Sequence, residues 1–112
     1  MKLYHNPRCS KSREGLSILR DRNLDFEIVE YLKIPLTKEE LSNIIKKLNI
    51  APIDLVRKNE RIWKENFKDQ KLDNEQVLDA LVEHPKLIER PILVNGNLAV
   101  VGRPPEQLIS II

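Results

Sequence analysis

Cys9 is the one cysteine of this chain, and it falls where a short strand should give way to a helix, in the stretch Tyr4-His5-Asn6-Pro7-Arg8-Cys9-Ser10-Lys11-Ser12-Arg13. A thiol placed there feels the positive end of the helix macrodipole and a set of unpaired backbone N–H groups. Both favour the thiolate, which is the nucleophilic form. Arg8, Lys11, Arg13 and His5 lie close in sequence and push the same way. The plainer reading is a small buried apolar residue, which is how most free cysteines behave. The basic, polar neighbourhood favours the reactive one.

Composition narrows the setting. With 112 residues, 41% hydrophobic and 32% charged, the chain has the make-up of one globular domain and is too short for two of ordinary size. The formal net charge of +2 is spread among interleaved acidic residues, which gives no reason to expect a nucleic-acid partner. No apolar run approaches the roughly 20 residues of a membrane span, and no apolar segment after Met1 suggests a signal peptide. A single cysteine cannot close an internal disulfide. A reducing, cytoplasmic setting and a monomer are therefore expected, with no metal and no bound cofactor.

The elements that must position Cys9 follow from pattern. Lys2–His5 reads as a strand, Ser10–Asp21 as a helix with Leu16 and Leu19 facing inward, and Phe26–Tyr31 as a second strand. Strand, helix, strand suggests a parallel βαβ unit. The middle is helical. Thr37-Lys38-Glu39-Glu40 forms a capping box ahead of Leu41, Ile44, Ile45 and Leu48, and Pro52 opens a short helix over 53–57. Trp63 and Phe67 share a helical turn as packing residues. Asp73 or Asn74 starts a helix carrying Val77, Leu78, Leu81 and Val82, and His84 is an exposed residue at its end. Two apolar runs around Asn95-Gly96 predict a hairpin with a type I′ turn. Pro104-Pro105 then opens a terminal helix with Leu108, Ile111 and Ile112. The expected architecture is α/β: a thioredoxin-like four-stranded mixed sheet with flanking helices, one domain over 1–112, and a helical insertion over about 37–84.

Four blocks carry a resemblance. They are His5-Asn6-Pro7-Arg8-Cys9-Ser10-Lys11-Ser12-Arg13, Leu55-Val56-Arg57-Lys58-Asn59-Glu60, His84-Pro85-Lys86-Leu87-Ile88-Glu89-Arg90-Pro91-Ile92 and Gly102-Arg103-Pro104-Pro105-Glu106. In order and spacing they resemble the glutathione/glutaredoxin-linked arsenate reductase family. The resemblance implies that Cys9 is the nucleophile and that His5 helps keep it ionised. It implies that Arg57, Arg90 and Arg103 contact the oxyanion, and that the Arg90–Pro91 bond is cis against the cysteine. Ser12 stands where dithiol relatives, among them a group of RNA-polymerase-binding stress regulators, carry a second cysteine.

Arsenate is a tetrahedral oxyanion, and planar, permanently charged guanidinium groups suit it. Backbone N–H groups of Ser10, Lys11 and Ser12 can add to them if the helix starts there. Reduction to arsenite takes two electrons, which one cysteine cannot supply while closing its own disulfide. An external thiol is therefore required, with glutathione as co-substrate and glutaredoxin to resolve the mixed disulfide. Two other readings stay open: a glutathione-linked thiol oxidoreductase acting on another substrate, and a non-catalytic module like the polymerase-binding regulators.

Overall fold

The computed structural model describes every residue from Met1 to Ile112. The chain divides into two units, Met1–Ile34 with Arg90–Ile112, and Pro35–Glu89.

The first unit is built on a four-stranded sheet of order β2-β1-β3-β4, with β1 at Lys2–Tyr4, β2 at Glu27–Val29, β3 at Ile92–Asn95 and β4 at Leu98–Val101. β1 runs parallel to β2, with Leu3 opposite Ile28, and antiparallel to β3, with Leu3 opposite Leu93. β3 and β4 form the antiparallel hairpin. This is the thioredoxin-like mixed sheet. The parallel pair needs a crossover, which α1 (Ser10–Asp21) supplies. Leu3, Leu19, Leu93 and Leu108 are completely buried and form the centre of the unit. Met1, Leu16, Leu24, Phe26, Val100 and Ile111 pack around them.

Several elements differ in detail from the sequence pattern. β1 stops at Tyr4, although His5 N still donates to Val29 O at 2.9 Å. β2 stops at Val29, because Glu30 O takes the N–H groups of Lys33 and Ile34 and turns the chain. The hairpin turn lies one residue later than expected. Asn95 pairs with Leu98, so Gly96 and Asn97 are the two loop residues. Only Gly96, at φ 61°, has positive φ there. That is the pattern of a II′ turn, in which glycine leads, and not of I′. Asn95 is instead occupied with its side chain, whose Nδ2 donates to Ile111 O at 2.6 Å.

The terminal segment Pro105–Ile111 is a 3₁₀ helix. A three-residue repeat aligns Pro105, Leu108 and Ile111 on one side; these are buried or half-buried, and Ile109 is half-buried beside them.

The second unit is helical. Its helices are α2 (Lys38–Leu48), α3 (Arg61–Asn66) and α4 (Asn74–Glu83), with 3₁₀ turns at Pro52–Leu55 and Pro85–Leu87. Capping boxes open α2 and α4. Thr37 Oγ1 accepts from Glu40 N, and Asp73 Oδ1 accepts from Gln76 N; Glu40 and Gln76 return the bond to the cap N–H. Leu41, Ile44 and Ile45 of α2 are buried, as are Val77, Leu78 and Leu81 of α4, and the two helices pack together. Trp63 is buried and stacks on Phe67 with ring centroids 5.4 Å apart. Phe67 meets the ring of His84 edge-on, so His84 is half-buried and not an exposed end. No helix in the chain is long and apolar enough to cross a membrane.

Candidate active site

A hydrogen-bonded loop delivers Cys9 to the start of α1. Cys9 N donates to Asn6 O at 3.0 Å, closing a turn over Pro7 and Arg8, and Arg8 N donates to Asn6 Oδ1 at 3.0 Å. Arg13 N then donates to Cys9 O at 3.0 Å, the first bond of the helix, and Arg13 Nη1 donates to Pro7 O. Cys9 is thus the residue that caps α1, with extended backbone angles. A serine or aspartate would accept there from the backbone N–H groups two and three residues on. The sulfur makes no cap hydrogen bond of ordinary geometry. It nevertheless lies close enough to the N–H groups of Ser12 and Lys11 to feel both.

Two arginines from the far end of the chain complete the surroundings of the sulfur. Arg103 Nη2 donates to Cys9 Sγ at 3.6 Å, across 94 positions of sequence. The same guanidinium donates through Nε to Arg90 O at 2.9 Å, which fixes its orientation. Arg90 places its own guanidinium on the sulfur. Burial alone pushes the Cys9 thiol up. The Ser12 N–H, the Arg90 guanidinium and the Lys11 N–H outweigh it, and the thiol lies below its ordinary value. Cys9 is half-buried as a residue, not sealed in the core. The Arg90–Pro91 peptide is cis, as the family resemblance implies, and so is Arg103–Pro104.

Beneath the sulfur is a buried polar cluster. Ser12 is completely buried, and His5 and Asn6 are nearly so. Ser12 Oγ accepts from Asn6 N at 3.0 Å and is hydrogen-bonded to His5 Nδ1 at 2.7 Å. Ser12 therefore works through two groups. Its hydroxyl ties α1 to the end of β1, while its N–H faces Cys9 Sγ.

Burial lowers the pKa of His5. The nearby Glu30 charge opposes this, and Arg20 and Arg13 reinforce it. His5 is thus neutral near pH 7, and its ring bonds Ser12. His5 is linked to Cys9 by way of Ser12, whose hydroxyl is hydrogen-bonded to the His5 ring and whose N–H faces the sulfur. Neutral burial also has a stability consequence. The unfolded chain binds a proton at His5 near pH 6.5, whereas the folded chain resists it to lower pH. The stabilisation is complete above about pH 6.5 and is lost as pH falls through the lowered folded value. His5→Asn, which keeps a polar group near the Nδ1 position, should flatten the pH dependence of the urea midpoint between about pH 7 and 5. Parallel wild-type and variant profiles would rule this out.

Three candidate side chains remain, those of Ser10, Lys11 and Arg57. Ser10 opens α1 and is exposed, and the Lys11 side chain pairs with Glu14 at 3.6 Å in solvent. Arg57 belongs to the second unit, where Arg57 Nε donates to Glu60 Oε1 at 3.3 Å. The role of Ser12 as a buried anchor could have been suspected from a serine three residues into a helix beside an apolar stripe, but its partners could not.

This arrangement can hold a thiolate and present it, with guanidinium groups, to an oxyanion. An uncharacterised protein of Escherichia coli K12, YfgD, is 43% identical over 100% of this chain and 96% of its own length. An arsenate reductase of Haemophilus influenzae is 43% identical over 98% of this chain and 97% of its own. The solved structure of an arsenate reductase from Vibrio cholerae superposes with a TM-score of 0.93, at 40% identity, over 100% of this chain and 98% of that one. The ArsC family model matches residues 4–111, and the chain belongs to the ArsC family.

Proposed function

We propose that the protein reduces arsenate to arsenite through a covalent intermediate on Cys9, with glutathione and glutaredoxin as external thiol donors. The observation that carries this reading is the convergence of Arg90 and Arg103 on the acidified sulfur of a half-buried Cys9 at the N-terminus of α1. Relatives of nearly equal length named arsenate reductase support the substrate.

In the proposed reaction the guanidinium groups of Arg90 and Arg103 and the N–H groups of Ser10, Lys11 and Ser12 hold the arsenate oxygens. The Cys9 thiolate attacks arsenic. A sulfur–arsenic bond forms, and one arsenate oxygen leaves as water after protonation. Arsenic is still pentavalent at this stage. A glutathione thiolate then attacks Cys9 Sγ. The sulfur–arsenic electron pair departs with arsenic, which leaves as arsenite, and Cys9 is left in a mixed disulfide with glutathione. A glutaredoxin thiol takes over the glutathionyl group and frees the Cys9 thiolate. The two electrons thus come from two external thiols, as a chain with one cysteine requires. Such a cycle needs a reducing compartment, so the cytoplasm is the proposed location.

The test is an arsenate reduction assay with glutathione and a recycling system, with and without glutaredoxin. Turnover that depends on both thiol donors is expected. Glutathionyl exchange at Cys9 with no arsenate turnover would overturn the substrate while leaving the thiol chemistry intact.

A further inference from the structure

We propose that Gly15 and Gly102 are positioning residues, which clamp the ring of Pro91 between them and thereby hold Arg90 and Arg103 against Cys9. Pro91 is completely buried. A methyl group added at Gly15 would lie 2.9 Å from Pro91 Cγ and 2.9 Å from Leu108 Cδ1; one added at Gly102 would lie 2.9 Å from Pro91 Cγ and 3.0 Å from Leu108 Cδ2. Real carbon–carbon contacts do not reach such distances, so something would have to move. Leu108 is itself completely buried, and Pro91, also completely buried, can shift its Cγ by repuckering alone only a little before its backbone must follow.

Backbone conformation does not explain these glycines. Gly96 is the one glycine with positive φ. Gly15 lies inside α1, where alanine is ordinarily the better helix former. What both positions need is the missing side chain. The clamp is also joined directly to the site. Gly15 is on the helix that Cys9 caps, Arg90 precedes Pro91, and Arg103 follows Gly102. Gly102 N donates to Pro91 O at 2.8 Å, and Arg103 Nε donates to Arg90 O at 2.9 Å. Any displacement of Pro91 is therefore passed to both guanidinium groups, while the Ser12 and Lys11 N–H groups stay with the helix.

The inference rests on the proposed function only for its anion-binding half; the thiol readout stands without it. The experiment measures the pH dependence of Cys9 alkylation, together with KM and kcat for arsenate, in Gly15→Ala and Gly102→Ala. Circular dichroism and melting monitor the fold. Folded variants should show an alkylation midpoint shifted up and a several-fold slower reaction at neutral pH, with KM raised more than kcat is lowered. Wild-type alkylation and KM in folded variants, even with a lower melting temperature, would mean that the glycines only fill space, and the proposal would fail. If either single variant does not fold, Gly15→Ala combined with Leu108→Val isolates the contact with Pro91. A raised midpoint in that pair supports the clamp, and a wild-type midpoint overturns it. Absence of arsenate turnover in the wild type would sink the proposed function and leave the alkylation result to decide the clamp.

Discussion

Cys9→Ser is expected to reduce arsenate turnover to background, a loss of at least about 10⁴-fold, the scale seen when a covalent nucleophile is removed. The substitution changes one atom, and the hydroxyl can still cap α1 by accepting from backbone N–H groups. The fold should therefore persist, and the helix start could even gain from an ordinary oxygen cap. What disappears is the anion. The surroundings that acidify a thiol act on a serine hydroxyl whose own ionisation lies far beyond their reach. Sulfur is also the atom that must carry the mixed disulfide, which oxygen cannot. The variant should still bind arsenate, because Arg90 and Arg103 remain. Isothermal titration with arsenate, beside the turnover assay, separates these contributions. Retained turnover would place the chemistry elsewhere.

Arg103→Lys is the second substitution with a large expected effect. One guanidinium makes two bonds in different directions, Nε to Arg90 O and Nη2 to Cys9 Sγ. A lysine ammonium keeps the charge, but one nitrogen on a flexible stem cannot span both. Hydrogen bonds to charged groups contribute about 1.5–3 kcal/mol. Because Arg103 is exposed, the lower part of that range applies, and kcat/KM should fall by roughly ten- to thirtyfold. Cys9 alkylation at neutral pH should slow as well. Steady-state kinetics with arsenate provide the check. Kinetics equal to wild type would show that charge alone is used at this position and that the anchoring to Arg90 O is idle.

What could be read from sequence depended on how local its cause was. The start of α1, the capping box at Thr37 and the start of α4 at Asp73 or Asn74 depend on neighbours within four residues, and the pattern places them correctly. The hairpin was legible, but its turn was not. Asn95-Gly96 is a good I′ pair, and the shift to Gly96-Asn97 comes from the pairing of Asn95 with Leu98 and its bond to Ile111 O, 16 positions away. The neutral state of His5 depends on burial, which five residues of context do not reveal. Arg90 and Arg103 beside Cys9 could be expected only from family resemblance, since nothing in the spacing of residues 9, 90 and 103 dictates their meeting. Gly15 and Gly102 carried no signal at all. A glycine is informative in sequence when a turn needs it, and here the need is the ring of a proline just ahead of β3.

The central claim is that the fold keeps the sulfur of Cys9 ionised, and because the chain has a single cysteine its alkylation is unambiguous. Iodoacetamide labelling followed by mass spectrometry across pH should give a midpoint below the ~8.5 of an unperturbed thiol. Arg90→Ala should move that midpoint upward. A midpoint at or above the free-thiol value in the folded wild-type protein would contradict the account.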